Sequence, residues 1–254
     1  MSKKLTAILL ALLLVLNCAP IGHSSEQTEA ESNPDLNVEV GDIITFGSYE
    51  QDNDLSNGSE AIEWIVLDVQ DGQALIISKY GLDTVAYNEE WVDITWEDCT
   101  LRKWLNGTFL NAAFTSEEQE KIVTTNVDNS ASRCYSRWST SGGNDTEDKI
   151  FLLSYAEANK YFDVEYNNVD GATDNMKSRV QPTAYAIAQG AYTYDGCTTA
   201  DGAAAGIWWL RSPGNVQDRA AFVRSDGSLY NYLVYFDFIC DRPALWINLE
   251  SLIF

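Results

Sequence analysis

The pattern of apolar and polar positions opens with strands. Val40 to Gly47 is rich in β-branched residues and ends in turn residues. Ala61 to Val69 alternates, with Trp64, Val66 and Asp68 on one face and Ile65, Leu67 and Val69 on the other. Asp71-Gly72 is a hairpin signal leading into Ala74 to Ser78. These runs predict an N-terminal β-meander. Helical spacing follows. Thr95-Trp96-Glu97-Asp98 reads as an N-cap with acid in the first turn, ahead of Leu101, Trp104 and Leu105, and Asn106-Gly107 reads as the stop. Phe109, Leu110, Ala113 and Phe114 predict a second short helix, and Ser116 to Gln119 a capping box for a third. Lys149 to Leu153 reads as a buried strand, and Ser154 to Glu157 as another capping box. Pro182 fits the first turn of a helix running through Ala188 and closed by Gly190. The end returns to strand at Trp208 to Arg211, Arg219 to Arg224, Leu229 to Cys240 and Ala244 to Leu249. Strands, helices and strands again, with polar loops at 126–148 and 163–177, predict the α+β class.

The segment Tyr230 to Cys240 breaks the rule of a half-buried strand. It is apolar or aromatic on both parities, interrupted by Asn231 and Asp237. Either both faces are buried in the core, or one face offers Tyr, Phe and Leu to an outside partner.

The N-terminus suggests export. Lys3 and Lys4 precede an apolar run, Leu5 to Leu16, too short for a bilayer span. Gly22-His23-Ser24 offers small residues for cleavage near Ser24, so residues 1–24 read as a signal peptide. The rival is lipid attachment at Cys18, the one membrane link the sequence offers. Residues 25–37 are almost devoid of apolar side chains and read as a disordered leader, leaving 38–254 as the folded domain of a secreted or cell-surface protein.

Charge and composition then exclude classes. Losing Lys3 and Lys4 leaves 14 basic against 38 acidic residues, a net charge of −24. That field repels nucleic acid and anionic lipid. His23 is the only histidine, and it leaves with the signal peptide or sits in the tether, which removes imidazole-based hydrolysis and the usual zinc sites. No phosphate-binding glycine loop is present, and no cofactor or metal site is assigned. Asp52-Asn53-Asp54, Asn144 to Asp148 and Asp170 to Asp174 are oxygen-rich but lack the spacing of a calcium loop. Cys99, Cys134, Cys197 and Cys240 allow three disulfide pairings or free thiols. No catalytic residue is assigned. Paired carboxylates would suffice for a glycosidase, but among 38 acids such a pair arises by chance.

Six stretches in order carry a family resemblance. They are Ile44 to Tyr49, Glu63 to Leu67, Thr100 to Asn106, Phe151 to Glu157, Trp208-Trp209-Leu210-Arg211-Ser212-Pro213-Gly214, and Arg242-Pro243-Ala244-Leu245-Trp246-Ile247. Over residues 38 to 250 the chain resembles the DUF6273 family of exported bacterial proteins. That resemblance implies a C-type-lectin-like fold in the C-terminal half, shared with formylglycine-generating enzymes and with the variable proteins of diversity-generating retroelements. Where the family tends to have Gly-Val before Arg-Pro-Ala, this chain has Cys240-Asp241. In the retroelement systems, adenines of Asn codons are randomised on a fixed scaffold. Changed adenines cannot yield Lys, Glu, Met or Trp, and none of these occurs from Gly214 to Asp241. Average usage would place about four of them there.

The resemblance therefore implies a ligand-binding face formed by Asn215, Val216, Asp218, Arg219, Phe222, Arg224, Ser225, Tyr230, Asn231, Tyr232, Leu233, Tyr235, Phe236, Phe238, Ile239 and Asp241. Its expected partner is a protein or glycan on a cell or phage. Two rivals stand beside it. One is a non-variable sugar- or wall-binding module using Trp208 or Trp209 as a platform. The other is an enzyme in which Cys197 and Cys240 imitate the cysteine pair of formylglycine-generating enzymes. Trp208, Trp209 and Trp246 are otherwise expected in the core, and Arg211 and Arg242 are expected to satisfy buried carbonyls or an acid.

Overall fold

A computed structural model describes residues 38–129, 140–167 and 174–250. The signal-like segment, Cys18, His23, Cys134 and most of the 170–174 stretch lie outside them. The meander forms as its pattern predicts. Strands β1 (Ile43–Tyr49), β2 (Glu60–Gln70) and β3 (Gln73–Ser78) pair antiparallel in sequence order. Asp71 and Gly72 both take positive φ (51° and 73°), the left-handed pair that a two-residue hairpin turn requires. A bulge between Val66 and Asp68 lets both Val66 and Leu67 bury, so the simple alternation fails there.

What the sequence order hides is how the sheet is completed. The last strand, β12 (Ala244–Asn248), inserts between β3 and the short β4 (Ile122–Val123), giving the order β1-β2-β3-β12-β4. The Arg-Pro-Ala-Leu-Trp stretch therefore enters the middle of this sheet, with Trp246 opposite Leu75 and Val123. A second antiparallel sheet carries the Trp-Trp-Leu-Arg stretch. It contains β9 (Trp208–Pro213), β10 (Arg219–Val223) and β11 (Leu229–Leu233) in the order β11-β10-β9. Two ribbons complete the strands: β5 (Thr125–Val127) with β6 (Thr146–Asp148), and β7 (Thr193–Thr198) with β8 (Ala204–Gly206). The class is α+β with mostly antiparallel sheets.

The helices correct several expectations. Helix α1 (Thr100–Trp104) starts four residues later than the Thr95 cap implied. Thr95 to Cys99 is a turn instead, because Trp96 is drawn inside, where its indole Nε1 donates to Asp148 (3.0 Å). Cys99 Sγ caps the helix by accepting from the Arg102 amide. Asn106-Gly107 does not stop it. The helix runs on through a π turn (Leu105–Phe109) into α2 (Leu110–Ala113). The Asn106 side chain is engaged elsewhere: its Oδ1 accepts from Lys149 N and Ile150 N, and its Nδ2 donates to Ile150 O. That side chain takes the place of a neighbouring strand: Ile150 to Leu153 is buried, and among the described residues its one strand bridge joins Phe151 to Ala244. Helix α3 (Ser116–Lys121) is capped one residue earlier than expected, by the Thr115–Glu118 box. Helix α4 (Tyr155–Phe162) has the expected Ser154–Glu157 box. Helix α5 (Ala184–Gln189) is capped by Thr183, with Pro182 just outside and Gly190 closing it at φ 118°.

The core holds Trp64, Trp96, Trp208 and Trp209, all essentially sealed. Trp64 and Trp208 donate their indole N–H groups to Phe46 O and Ser178 O. Arg211 is buried and spreads its donors over Leu152 O, Asp128 O, Asn129 and the Glu157 carboxylate, as expected of it. Among the described residues no helix is long and apolar enough to cross a membrane.

Candidate functional site

The continuous strand expected from Leu229 to Cys240 is two things. Strand β11 ends at Leu233, and residues 234–239 turn back toward Cys240, whose backbone bridges Trp208. Neither expectation for the segment holds in its simple form, because its parity is meaningful only along β11. There the register pairs Phe222 with Tyr230 and Ala220 with Tyr232. Tyr230 and Tyr232 therefore project on the face that carries Phe222, while Leu229 and Asn231 point into the interior.

Beyond Leu233 the turn stacks its own rings on this face. Tyr232 and Phe236 lie 4.6 Å apart between centroids, Tyr235 and Phe236 4.5 Å, and Phe236 and Phe238 5.1 Å. Trp91 extends the row, 5.9 Å from Tyr235, with its indole N–H held by Asp218 at 2.7 Å. Trp91 is 63% exposed, and Tyr232 and Tyr235 are each 37% exposed. Five rings thus form one contiguous, partly solvated strip.

At one side the strip dips into a cleft of about 320 Å³ lined by Phe222, Arg224, Ser225, Tyr230, Tyr232 and Phe238, with Tyr192 and Ile207 opposite. The Arg224 guanidinium lies 4.0 Å over the Tyr230 ring, which also stacks near-parallel on Tyr166. The cleft is aromatic with few polar groups, the make-up of a site that binds by shape and apolar contact. Its lining contains no carboxylate, thiol or imidazole that could act as nucleophile or base.

The expected face therefore divides. Phe222, Arg224, Ser225, Tyr230, Tyr232, Tyr235, Phe236 and Phe238 are brought together on the strip and cleft. Asp218 joins them through Trp91, and Arg219 and Leu233 are half-buried, opposite each other on β10 and β11. Asn215 and Val216 are exposed in the loop between β9 and β10. Asn231, Ile239 and Asp241 are not on this face: all three are buried. Asn231 points inward by strand parity. Asp241 belongs to a buried seam, where its Oδ2 accepts from Val85 N (2.7 Å) near Asp83, itself bonded by the Tyr49 hydroxyl. Burial, and then the charge of Asp83, push the Asp241 carboxyl well above its usual range.

The enzymatic and platform expectations meet the same kind of correction. Cys99, Cys197 and Cys240 are free thiols, and Cys240 is sealed against Gly81. Burial pushes its pKa up, so it lacks the thiolate that a nucleophile needs. Trp208 and Trp209 are fully buried and neither serves as a stacking platform. The acid-rich loop at 52–54 satisfies its own amides: Asp52 Oδ1 accepts from Asp54 N, and Asp54 Oδ1 from Ser56 N.

Trp91 and Tyr192 escaped the reading of the sequence. The available signal for Trp91 was an isolated indole in Glu89-Glu90-Trp91-Val92-Asp93, where no apolar period could bury it.

A family model described as "Domain of unknown function (DUF6273)" matches residues 71–249. The chain belongs to the DUF6273 family. The match starts in the hairpin turn before β3 and ends just after β12, so both sheets' tryptophan motifs and the aromatic strip lie within it. Strands β1 and β2 lie outside it, a narrower span than the resemblance from residue 38 implied. No curated protein and no solved structure matches the chain.

Proposed function

We propose that this DUF6273 protein is exported and binds a macromolecular ligand, a protein or glycan of a cell or phage surface, through the aromatic strip. The carrying observation is the row of rings from Trp91 through Tyr235, Phe236 and Tyr232 to Phe238, left partly open to water beside the cleft. Rigid aromatic side chains supply large contact area at low entropic cost. A contiguous apolar patch on a strongly acidic chain is the kind of surface that marks an interaction site. We further propose that the scaffold is C-type-lectin-like and that residues 215–241 are diversified by a retroelement. The missing Lys, Glu, Met and Trp between Gly214 and Asp241, and the concentration of the strip in that interval, support this reading. Export rests on the charged and apolar pattern of residues 3–24.

The binding test uses the chain on a glycan array and a panel of bacterial cells and phage particles. Binding is expected, and the triple substitution Tyr232→Ser, Tyr235→Ser, Phe236→Ser is expected to remove it while the melting temperature stays within a few degrees. Equal binding by the triple variant overturns the reading. Diversification is tested in the flanking DNA, where a reverse-transcriptase gene beside a template copy differing only at adenines is expected; mismatches at other bases defeat it.

A fixed sugar-binding module is the second reading, favoured by one observation. Trp91 is the most exposed ring of the strip, and Asp218 holds its edge, the arrangement of a sugar-stacking platform. Glycan binding lost in Trp91→Ala but retained in Tyr232→Ala would select it.

A further inference from the structure

Away from the aromatic strip, a second cleft of about 220 Å³ shares no lining residue with the first. Lys79, Lys177, Arg179 and Arg242 line it together with one carboxylate, Asp201, and Tyr80 and Met176 supply apolar wall. Three of these cations have carboxylate partners: Lys79 with Glu63 (3.0 Å), Lys177 with Asp163 (2.9 Å) and Arg179 with Asp174 (2.5 Å).

Arg242 does not. It is only 2% exposed, yet among the described residues no carboxylate reaches it. Its Nε donates to Ser78 O, while its Nη1 is buried without a partner. The guanidinium is clamped between the Trp208 and Phe162 rings, at 4.9 and 5.0 Å from their centroids, which fixes its plane. Burial pulls its pKa down to about 9, with no acidic neighbour holding it up. A buried charge without a counter-ion is costly, and natural proteins normally pair it. Arg211 makes the contrast plain: it bonds the Glu157 carboxylate and three further acceptors, Leu152 O, Asp128 O and Asn129 Oδ1.

We propose that this cleft binds a small ligand through an oxyanion group, carboxylate or phosphate, seated on the Arg242 guanidinium. A guanidinium N–H gives either group a charge-assisted hydrogen bond, shorter and stronger than one between neutral partners. Arg179, Lys79 and Lys177, each already ion-paired, line the same cleft, and Tyr80 and Met176 offer surface to a short apolar part of the ligand.

The test is calorimetric titration of the full chain with succinate and, separately, inorganic phosphate, at low and high sodium chloride. Saturable one-to-one binding by at least one probe is expected, with a melting temperature that rises with probe concentration. The probe that binds names the oxyanion. Arg242→Met is expected to weaken binding at least ten-fold. Because that residue is buried, Lys177→Ala is measured beside it: its side chain is 57% exposed, so folding is preserved, and a several-fold loss is expected. Tyr235→Ser is expected to leave affinity unchanged, which separates this site from the strip. Absence of binding by both probes at about 10 mM, or unchanged affinity in Lys177→Ala, overturns the proposal.

Discussion

Two aromatic stretches of this chain have opposite fates. In β9, Trp208 and Trp209 alternate across the sheet and both disappear into the core. In the segment from Tyr230 to Phe238, five rings stay partly open. Composition does not separate them, because both are dense in large apolar side chains. Position does. Strand β9 is hydrogen-bonded to β10 on one side, and on the other to Cys240 through Trp209 N and to Leu153 through Arg211 N. Strand β11 is the outer strand of its sheet, and among the described residues its flank beyond β10 is bridged near its start, where Tyr166 meets Leu229. Once the chain turns after Leu233, Phe236 packs on Tyr232 and Tyr235 stacks on Phe236. Burial of an aromatic ring is thus decided by what covers the strand, not by the ring.

The comparison breaks first where it is strongest. Trp208→Ala empties a sealed site and removes one ring of the Arg242 clamp, so a loss of about 3–5 kcal/mol in urea-unfolding stability is expected. Arg211→Met leaves the half-buried Glu157 carboxylate without its ion pair, and a loss of about 3 kcal/mol is expected by the same measurement.

That pair also sets an acid limb. Burial alone would raise the Glu157 pKa, but the Arg211 charge and hydrogen bonds hold it below the usual range. A depressed folded pKa means stability that is present above the unfolded value and lost as pH falls through the folded one. Melting temperature followed from pH 6 down to pH 2 should therefore decline less steeply in Glu157→Gln than in the parent.

Asp241 has the reverse sign and a smaller expected effect. Its raised folded pKa means that the parent loses stability as pH rises from the unfolded value toward the folded one. Asp241→Asn should melt higher than the parent at pH 8, with the gap closing by pH 4. A seam that tolerated the charged carboxylate would show no gap. The least effect belongs to the strip: Tyr235→Ala should change unfolding stability by less than about 1 kcal/mol. A loss as large as that of Trp208→Ala would mean that the strip holds the fold together, and the distinction between the two stretches would fail.

What could be read from the chain alone is what neighbours in sequence decide. The meander, the Asp71-Gly72 turn, the Ser154–Glu157 box and the Gly190 helix stop all depend on residues within a few positions of one another, so their patterns are local and legible. Strand ends were less so. The strand assigned through Cys240 ended at Leu233, because an apolar run carries no mark of where its partner strand runs out. The tertiary structure alone placed β12 between β3 and β4, joined Trp91 to Asp218 across 127 positions, and buried Asp241 beside Asp83. It alone left Arg242 without a carboxylate among the described residues while giving Arg211 one. Each of these depends on contacts between distant segments, and no periodicity within a segment encodes which distant surface will cover it.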